Sequence, residues 1–305
     1  MAQAVRDLRR RIKAIRNTQQ ITRAMQMVAA AKLRKAQARA VSARAYATRL
    51  EDMLHRLAQD GMSVEHFLLK ARPVRRATLV VITGDRGLAG SYNSNLIRQA
   101  EATAARLRSG PEPVGVRLVA VGRKGRDYFQ RRGWDLVREE VGVADDDLAG
   151  LARDLATSFI DSFSREEADE VLVVYSRFIS PLQQKPTELR VLPIAEVVAA
   201  GEGEAEGRAP VGGVAPPPGY IYEPDARTVF GLLLPKFVTN QVYQCLLEGR
   251  ASEYAARMTA MKNATDNAEE LVGELTLEMH RARQTSITRE VMELVGGANA
   301  LKDRR

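Results

Sequence analysis

The sequence predicts an α/β protein with two parts. The N- and C-terminal helices form a long antiparallel two-helix coiled coil, and an open α/β (Rossmann-like) sheet domain is inserted between them. Three observations lead there. Residues 1–58 contain neither proline nor glycine. Residues 77–195 change to short β-branched runs separated by helical patterns. From Asp225 to about Leu294 a helical pattern returns with a single proline, Pro235, near its start.

The N-terminal stripe steps through Val5, Leu8, Ile12 and Ile15, then continues in shifted phase through Ile21, Met25, Val28 and Leu33. Steps of three and four are the period of an amphipathic helix. At about 1.5 Å rise per residue such a helix runs roughly 85 Å. Asp60-Gly61 is expected to end it, and a short link reaches Pro73. The runs TLVVIT (78–83), VRLVAVG (116–122) and EVLVVYS (170–176) are nearly all apolar, as strands buried on both faces are. Helical patterns lie at Asn95–Arg108, Lys124–Arg132 and Leu148–Phe163. Strands alternating with helices argue for parallel βαβ units. PTELRVLPI (186–194) is expected to add an edge strand.

Residues 199–219, AAGEGEAEGRAPVGGVAPPPG, carry no apolar period and read as a flexible loop. YIYEPD (220–225) follows, and then the second long helix, with apolar positions from Phe230 through Leu246 and again at Met258, Leu271, Leu275, Met279, Ile287, Val291, Leu294 and Val295. It would span roughly 100 Å. Neither long stripe can be covered by a small sheet domain alone, so the two are expected to bury each other. The expected divisions are residues 1–60 for the first helix, 61–76 for a linker, 77–198 for the sheet domain, 199–224 for the loop with YIYEPD, and 225–305 for the second helix.

Composition narrows the function. The chain has 305 residues, 45% of them hydrophobic, 28% charged and 5% aromatic. No run of eighteen apolar residues exists, so no membrane-spanning helix is expected. MAQAVRDLRRRIKAI lacks the apolar core of a secretory signal, and a lone Cys245 fits a reducing compartment, so a soluble intracellular chain is expected. The net charge of +8 is uneven. Between Leu8 and Leu50 stand twelve basic residues (Arg9, Arg10, Arg11, Lys13, Arg16, Arg23, Lys32, Arg34, Lys35, Arg39, Arg44, Arg49) and no acidic one. Such an asymmetry points to a polyanionic partner: nucleic acid, anionic lipid or an acidic protein surface.

Catalytic signatures are missing. GDRGLAG (84–90) is spaced G-x-x-G-x-x-G, which is neither the dinucleotide fingerprint nor a P-loop. VGRKGRDYF (121–129) repeats the strand–glycine–basic–helix grammar without a signature. Each turn is either a weak anion site or a tight turn presenting charged side chains. His55, His66 and His280 are scattered, with no i, i+4 ligand pair, so no metal is expected. There is no G-x-S-x-G. Asp145–Asp147 precede a helical pattern and are expected to serve its N-terminus. No catalytic residue and no cofactor are expected.

Longer stretches carry a resemblance. RRRIKAIRNTQQITRAMQMVAAAKLRKAQ (9–37) resembles the N-terminal signature of the gamma subunit of F-type ATP synthases. ASEYAARMTAMKNATDNAEELVGEL (251–275) and ARQTSITREVMELVGGANAL (282–301) resemble its C-terminal signature. ITGDRGLAG, GRKGRDYF, VYSRFIS and YIYEPD resemble the central-domain landmarks, in order. The resemblance covers nearly the whole chain. It implies a non-catalytic rotor shaft, the central stalk, that couples proton-driven rotation of the c-ring to ATP synthesis or hydrolysis at the beta subunits.

The implied partners are the hexameric ring of alpha and beta subunits, the epsilon subunit and the c-ring. No nucleic acid is implied, and membrane contact comes only through the complex. The basic N-terminal helix would face acidic beta-subunit loops. Arg86 in GDRGLAG, and Arg283 with Gln284 in ARQTS, would contact the beta subunit. Tyr220, Tyr222 and Glu223 in YIYEPD would lie against the c-ring and epsilon, and LVGGANAL would turn in an apolar sleeve at the top of the ring. The family commonly has Ser-Asp and a cysteine in the GDRGLAG turn, where this chain has Ala89. The 199–219 tract lacks the paired cysteines of the redox-regulated plant form. With no transit peptide in view, a bacterial complex on the cytoplasmic face of the plasma membrane is expected.

Overall fold

A computed structural model describes residues 2–59, 66–110, 112–194, 223 and 225–302, with side chains described except at 2–4, 55–59, 226 and 296–302. The elements in chain order are α1 (Ala2–Gln59), β1 (Arg76–Ile82), α2 (Tyr92–Arg108), β2 (Gly115–Val121), α3 (Arg123–Arg131), β3 (Leu136–Glu140), α4 (Leu148–Ser164), β4 (Glu170–Ser180), β5 (Gln183–Leu192) and α5 (Ala226–Lys302). A short 3-10 turn, Phe67–Leu69, precedes β1. The N- and C-terminal helices pack together and a central sheet lies between them in sequence. The chain forms two compact units, Ala31–Ala256 and the pair Met1–Ala30 with Arg257–Arg305.

In the first unit the five strands lie in the order β3-β2-β1-β4-β5. β1 pairs in parallel with β2 and β4, β2 in parallel with β3, and β5 closes one edge antiparallel to β4. Side chains alternate across a strand, and the sheet follows that rule closely. Ala77, Leu79 and Val81 face one core with Leu118, Ala120, Leu172 and Val174, under α2 and α3. Val80 and Ile82 face the other with Val119, Val121, Val171 and Val173, under α4.

Two features differ from the sequence reading. β3 was not foreseen: LVREE is short, charged and half exposed, as an edge strand is, so it carries no apolar run. The long helices also do more than bury each other. Leu50 and Leu54 of α1, and Phe230, Leu234, Phe237, Val238, Val242, Cys245 and Leu246 of α5, are buried in the same core as Val80 and Val173. Part of each stripe therefore belongs to the sheet's second face.

In the other unit the helices meet along a seam with a strict 4–3 alternation. On α1 the least exposed positions run Leu8, Ile12, Ile15, Gln19, Thr22, Gln26 and Ala29. On α5 they run Met261, Thr265, Ala268, Val272, Leu275, Met279 and Ala282. That is the 3.5-residue repeat of a coiled coil. The expected stripe is corrected at Ile21 and Val28, which are 60% and 58% exposed, and at Leu271. The middle of the seam is polar or small, so following apolar residues alone shifts the phase. The hydroxyls of Thr22 and Thr265 lie 2.7 Å apart and hydrogen-bond across the seam.

Candidate functional site

The turn after β1 is built around Asp85. Its Oδ1 accepts hydrogen bonds from the backbone N–H of Arg123 and of Gly142, both at 3.0 Å. The next two N–H groups of α3 are taken as well, Lys124 by the carbonyl of Gly84 and Gly125 by the hydroxyl of Thr83. A helix N-terminus attracts anions because its first amides lack partners. Here a carboxylate of the chain itself stands where a phosphate would, so GDRGLAG and VGRKGRDYF join into one closed turn.

The crevice beside it is also filled from within. With β1 flanked by β2 and β4, the strand order reverses at β1/β4, the place where open α/β sheets bind ligands. Residues Gly249–Tyr254 of α5 lie there. The Tyr92 hydroxyl donates to the carbonyl of Gly249 at 2.9 Å, and the Ser252 hydroxyl to that of Ser176 at 2.9 Å. A Cβ on Gly84 would stand 2.8 Å from Oε1 of Glu253, and one on Gly249 3.1 Å from Cγ2 of Ile82. Both glycines permit close approach. The Glu253 side chain, 5% exposed, pairs with Arg250 at 3.1 Å.

Arg250 links several loops. Its Nη2 donates to the carbonyl of Val143 at 2.7 Å, and its guanidinium lies 3.6 Å from Asp145 and 3.8 Å from Asp85. Burial alone would lower its pKa, but Glu253, Asp145 and Asp85 raise it on balance. Tyr254, buried, donates to Asp145 at 2.7 Å, and its pKa is raised, first by burial and then by that bond. The Asp145–Asp147 cluster is thus corrected: Asp147 caps α4 by position without a side-chain bond, while Asp145 and Asp146 engage the long helices. Their spacing beside a helix start concealed this.

The residues expected to meet partners are distributed over exposed surface. Arg86 is exposed on the turn, beside Leu88 at φ 63°. Arg283 and Gln284 are exposed on α5, away from the seam. Glu223 is exposed, whereas Tyr220 and Tyr222 lie outside the described residues, as does the 199–219 tract. Arg9, Arg10, Arg11, Lys13, Arg16 and Arg23 are all exposed on α1. Beyond Arg283, α5 leaves Ile287, Val291, Met292, Leu294 and Val295 exposed. Lys35, Arg39 and Arg44, by contrast, pair with Asp146 and Glu248 of the same chain. Among the described residues no cluster of His, Cys, Asp and Glu could hold a metal ion. No described helix is long and apolar enough to cross a membrane.

A family model described as ATP synthase matches residues 4–301. The ATP synthase gamma chain of Desulfitobacterium hafniense is 47% identical over 98% of this chain and 99% of its own length. The chain belongs to the ATP synthase gamma family. The gamma chain of Heliobacterium modesticaldum is 46% identical over 97% of this chain and 99% of its own. Among solved structures, a chain from the central stalk and c-ring of the Tetrahymena thermophila mitochondrial ATP synthase is 26% identical. It covers 80% of this chain and 99% of its own, with a TM-score of 0.57. A chain of the Euglena gracilis mitochondrial ATP synthase, 20% identical, shares the fold with a TM-score of 0.65 over 99% of this chain and 95% of its own. As a gamma chain, this protein functions in the central stalk of an ATP synthase.

Proposed function

We propose that the chain turns as a non-catalytic shaft inside a ring of alpha and beta subunits, with the sheet domain seated against epsilon and the c-ring. Each angle of an asymmetric shaft favours one conformation at each catalytic site, and this differential contact couples rotation to ATP synthesis or hydrolysis. The observation that carries the non-catalytic part is the filled crevice: Glu253 sits against Gly84 at the switch point between β1 and β4. The chain then needs no cofactor, and its nucleotides are those of its partners.

The exposed cations of α1 suit acidic loops of the ring, and Arg86, Arg283 and Gln284 are its proposed beta-subunit contacts. The exposed apolar residues from Ile287 to Val295 suit a sleeve-like bearing. Glu223, with Tyr220 and Tyr222, is the proposed contact to the c-ring and epsilon. The complex is placed on the cytoplasmic face of a bacterial plasma membrane, with membrane contact only through its other subunits.

The test is native mass spectrometry of this chain mixed with its organism's alpha and beta subunits, with ATPase activity assayed on the same sample. One copy joining a six-membered ring that then hydrolyses ATP, while the chain alone does not, is the expected outcome. Absence of a complex with folded alpha and beta would defeat the proposal. In that complex, replacing Arg283 and Gln284 together by alanine is expected to reduce coupled turnover or assembly while leaving the helices folded.

A further inference from the structure

A shaft transmits torque only if the sheet domain grips it in a way that resists slip. Apolar packing contributes much of the burial between the sheet and the long helices, but it is non-directional. Resistance to sliding and twisting calls for bonds of fixed geometry, and charge-assisted hydrogen bonds supply it. One short loop, between β3 and α4, concentrates them.

Gly142, at φ 70°, donates its N–H to Asp85. The carbonyl of Val143 accepts from Arg250 at 2.7 Å, and the carbonyl of Asp145 accepts from Nη1 of Arg39 at 2.7 Å. The Asp145 carboxylate accepts from Tyr254, and the Asp146 carboxylate pairs with the other Arg39 nitrogen, with Lys35 at 3.9 Å. Lys32 lies over the Tyr254 ring at 5.4 Å. Positions 142, 143, 145 and 146 are therefore all bound, to the β1 turn, to α1 and to α5.

We propose that the loop Val141–Asp147 is the torque clamp of the rotor, gripping α1 through Arg39 and Lys35 and α5 through Arg250 and Tyr254. Holding both helices from one loop opposes their sliding past each other, which apolar packing alone permits. The inference rests on the rotor reading.

The test uses the assembled ATP synthase with a bead on a cysteine placed at Leu182, which is 86% exposed in the β4–β5 turn. Cys245 is fully buried and burial raises its pKa, so it does not compete for the label. Rotation is recorded with Arg39→Lys, Tyr254→Phe and the exposed Asp146→Asn, and hydrolysis at saturating ATP is measured beside it. The expected result is unchanged hydrolysis with a broader angular variance in each catalytic dwell. The increase should be on the order of a doubling in Arg39→Lys, because lysine keeps the charge but a single ammonium replaces the planar fork that holds the Asp145 carbonyl and the Asp146 carboxylate together. Dwell variance equal to wild type in all three variants would overturn the clamp. A wild-type bead that never rotates on ATP would overturn the rotor reading, and the clamp with it.

Discussion

Replacing Arg250 by methionine isolates the polar cluster that seats α5 in the crevice. The side chain is 15% exposed and stands among Glu253, Asp145 and Asp85, with a further bond to the Val143 carbonyl. Methionine keeps much of the volume and removes the charge, leaving three carboxylates facing one another. Removing one partner of a buried ion pair costs about 3–5 kcal/mol. For a domain of this size each kcal/mol moves the melting temperature by about 2–4 °C, so the fall should be roughly 6–20 °C. The assay is thermal denaturation of the full chain followed by circular dichroism. Arg250→Met combined with Glu253→Gln should recover part of the loss, since neutralising one carboxylate relieves the repulsion, and the two changes should therefore be non-additive. A single variant within about 1 kcal/mol of wild type, or strictly additive effects, would refute the account of a cation holding the crevice closed.

Three further outcomes are expected. Asp169 accepts from the N–H groups of Arg75 and Arg76 and from Nε of Arg72 at 2.6 Å; burial raises its pKa, but these donors outweigh it and hold it below the ordinary value. A depressed carboxylate stabilises above its unfolded pKa and loses that contribution as pH falls through the folded one. Asp169→Asn should thus cost about 1.5–3 kcal/mol at pH 7 and converge with wild type below about pH 4, as read by urea denaturation across pH. Thr22→Val or Thr265→Val should cost about 1 kcal/mol each, and the double variant less than the sum, because one bond across the seam is lost in either case; additivity would show the two hydroxyls are not coupled. Gly122→Ala, at φ 96°, places a Cβ 2.1 Å from the Thr83 carbonyl, whereas Gly133→Ala, also at a positive φ (69°), meets nothing within 4 Å. The first should abolish soluble expression or cost several kcal/mol, and the second only about 1–2 kcal/mol; equal effects would show that backbone conformation, not the close contact, sets the cost.

The elements most legible in the sequence are those whose burial is one-sided or total. β1, β2 and β4 announce themselves as apolar runs, and both long helices by the absence of breakers. β3 was hidden because an edge strand alternates charged and half-buried residues without an apolar run. The seam was mis-phased at Ile21, Val28 and Leu271 because Gln19, Thr22 and Gln26 hold its middle, and periodicity read from apolar residues alone slides toward the exposed face. The candidate contacts Arg86, Arg283 and Gln284 came from resemblance; exposure is consistent with a contact but does not choose among surface residues. Asp145, Asp146 and Arg250 were not legible at all as a cluster, since their partners lie on separate elements.

The crevice explains why GDRGLAG looks like a phosphate loop. In a nucleotide-binding sheet, a glycine at the strand end lets a pyrophosphate approach the backbone, and the following helix offers its free amides. Here the two features fall on neighbouring strands, the close glycine after β1 and the occupied helix N-terminus after β2, and the chain itself fills both. Gly84 is needed because the Glu253 carboxylate comes close, and the amides of α3 are taken by Asp85, Gly84 and Thr83. Two of these occupants, Glu253 and Asp85, are carboxylates, the groups nearest to phosphate in charge and geometry among side chains. A sheet that must hold a long helix at its switch point therefore keeps the small residues and turn of a binding fold, while an acidic residue on the helix and another in the loop fill the anion positions. Spacing in the sequence records the need for close approach, but it does not record what approaches.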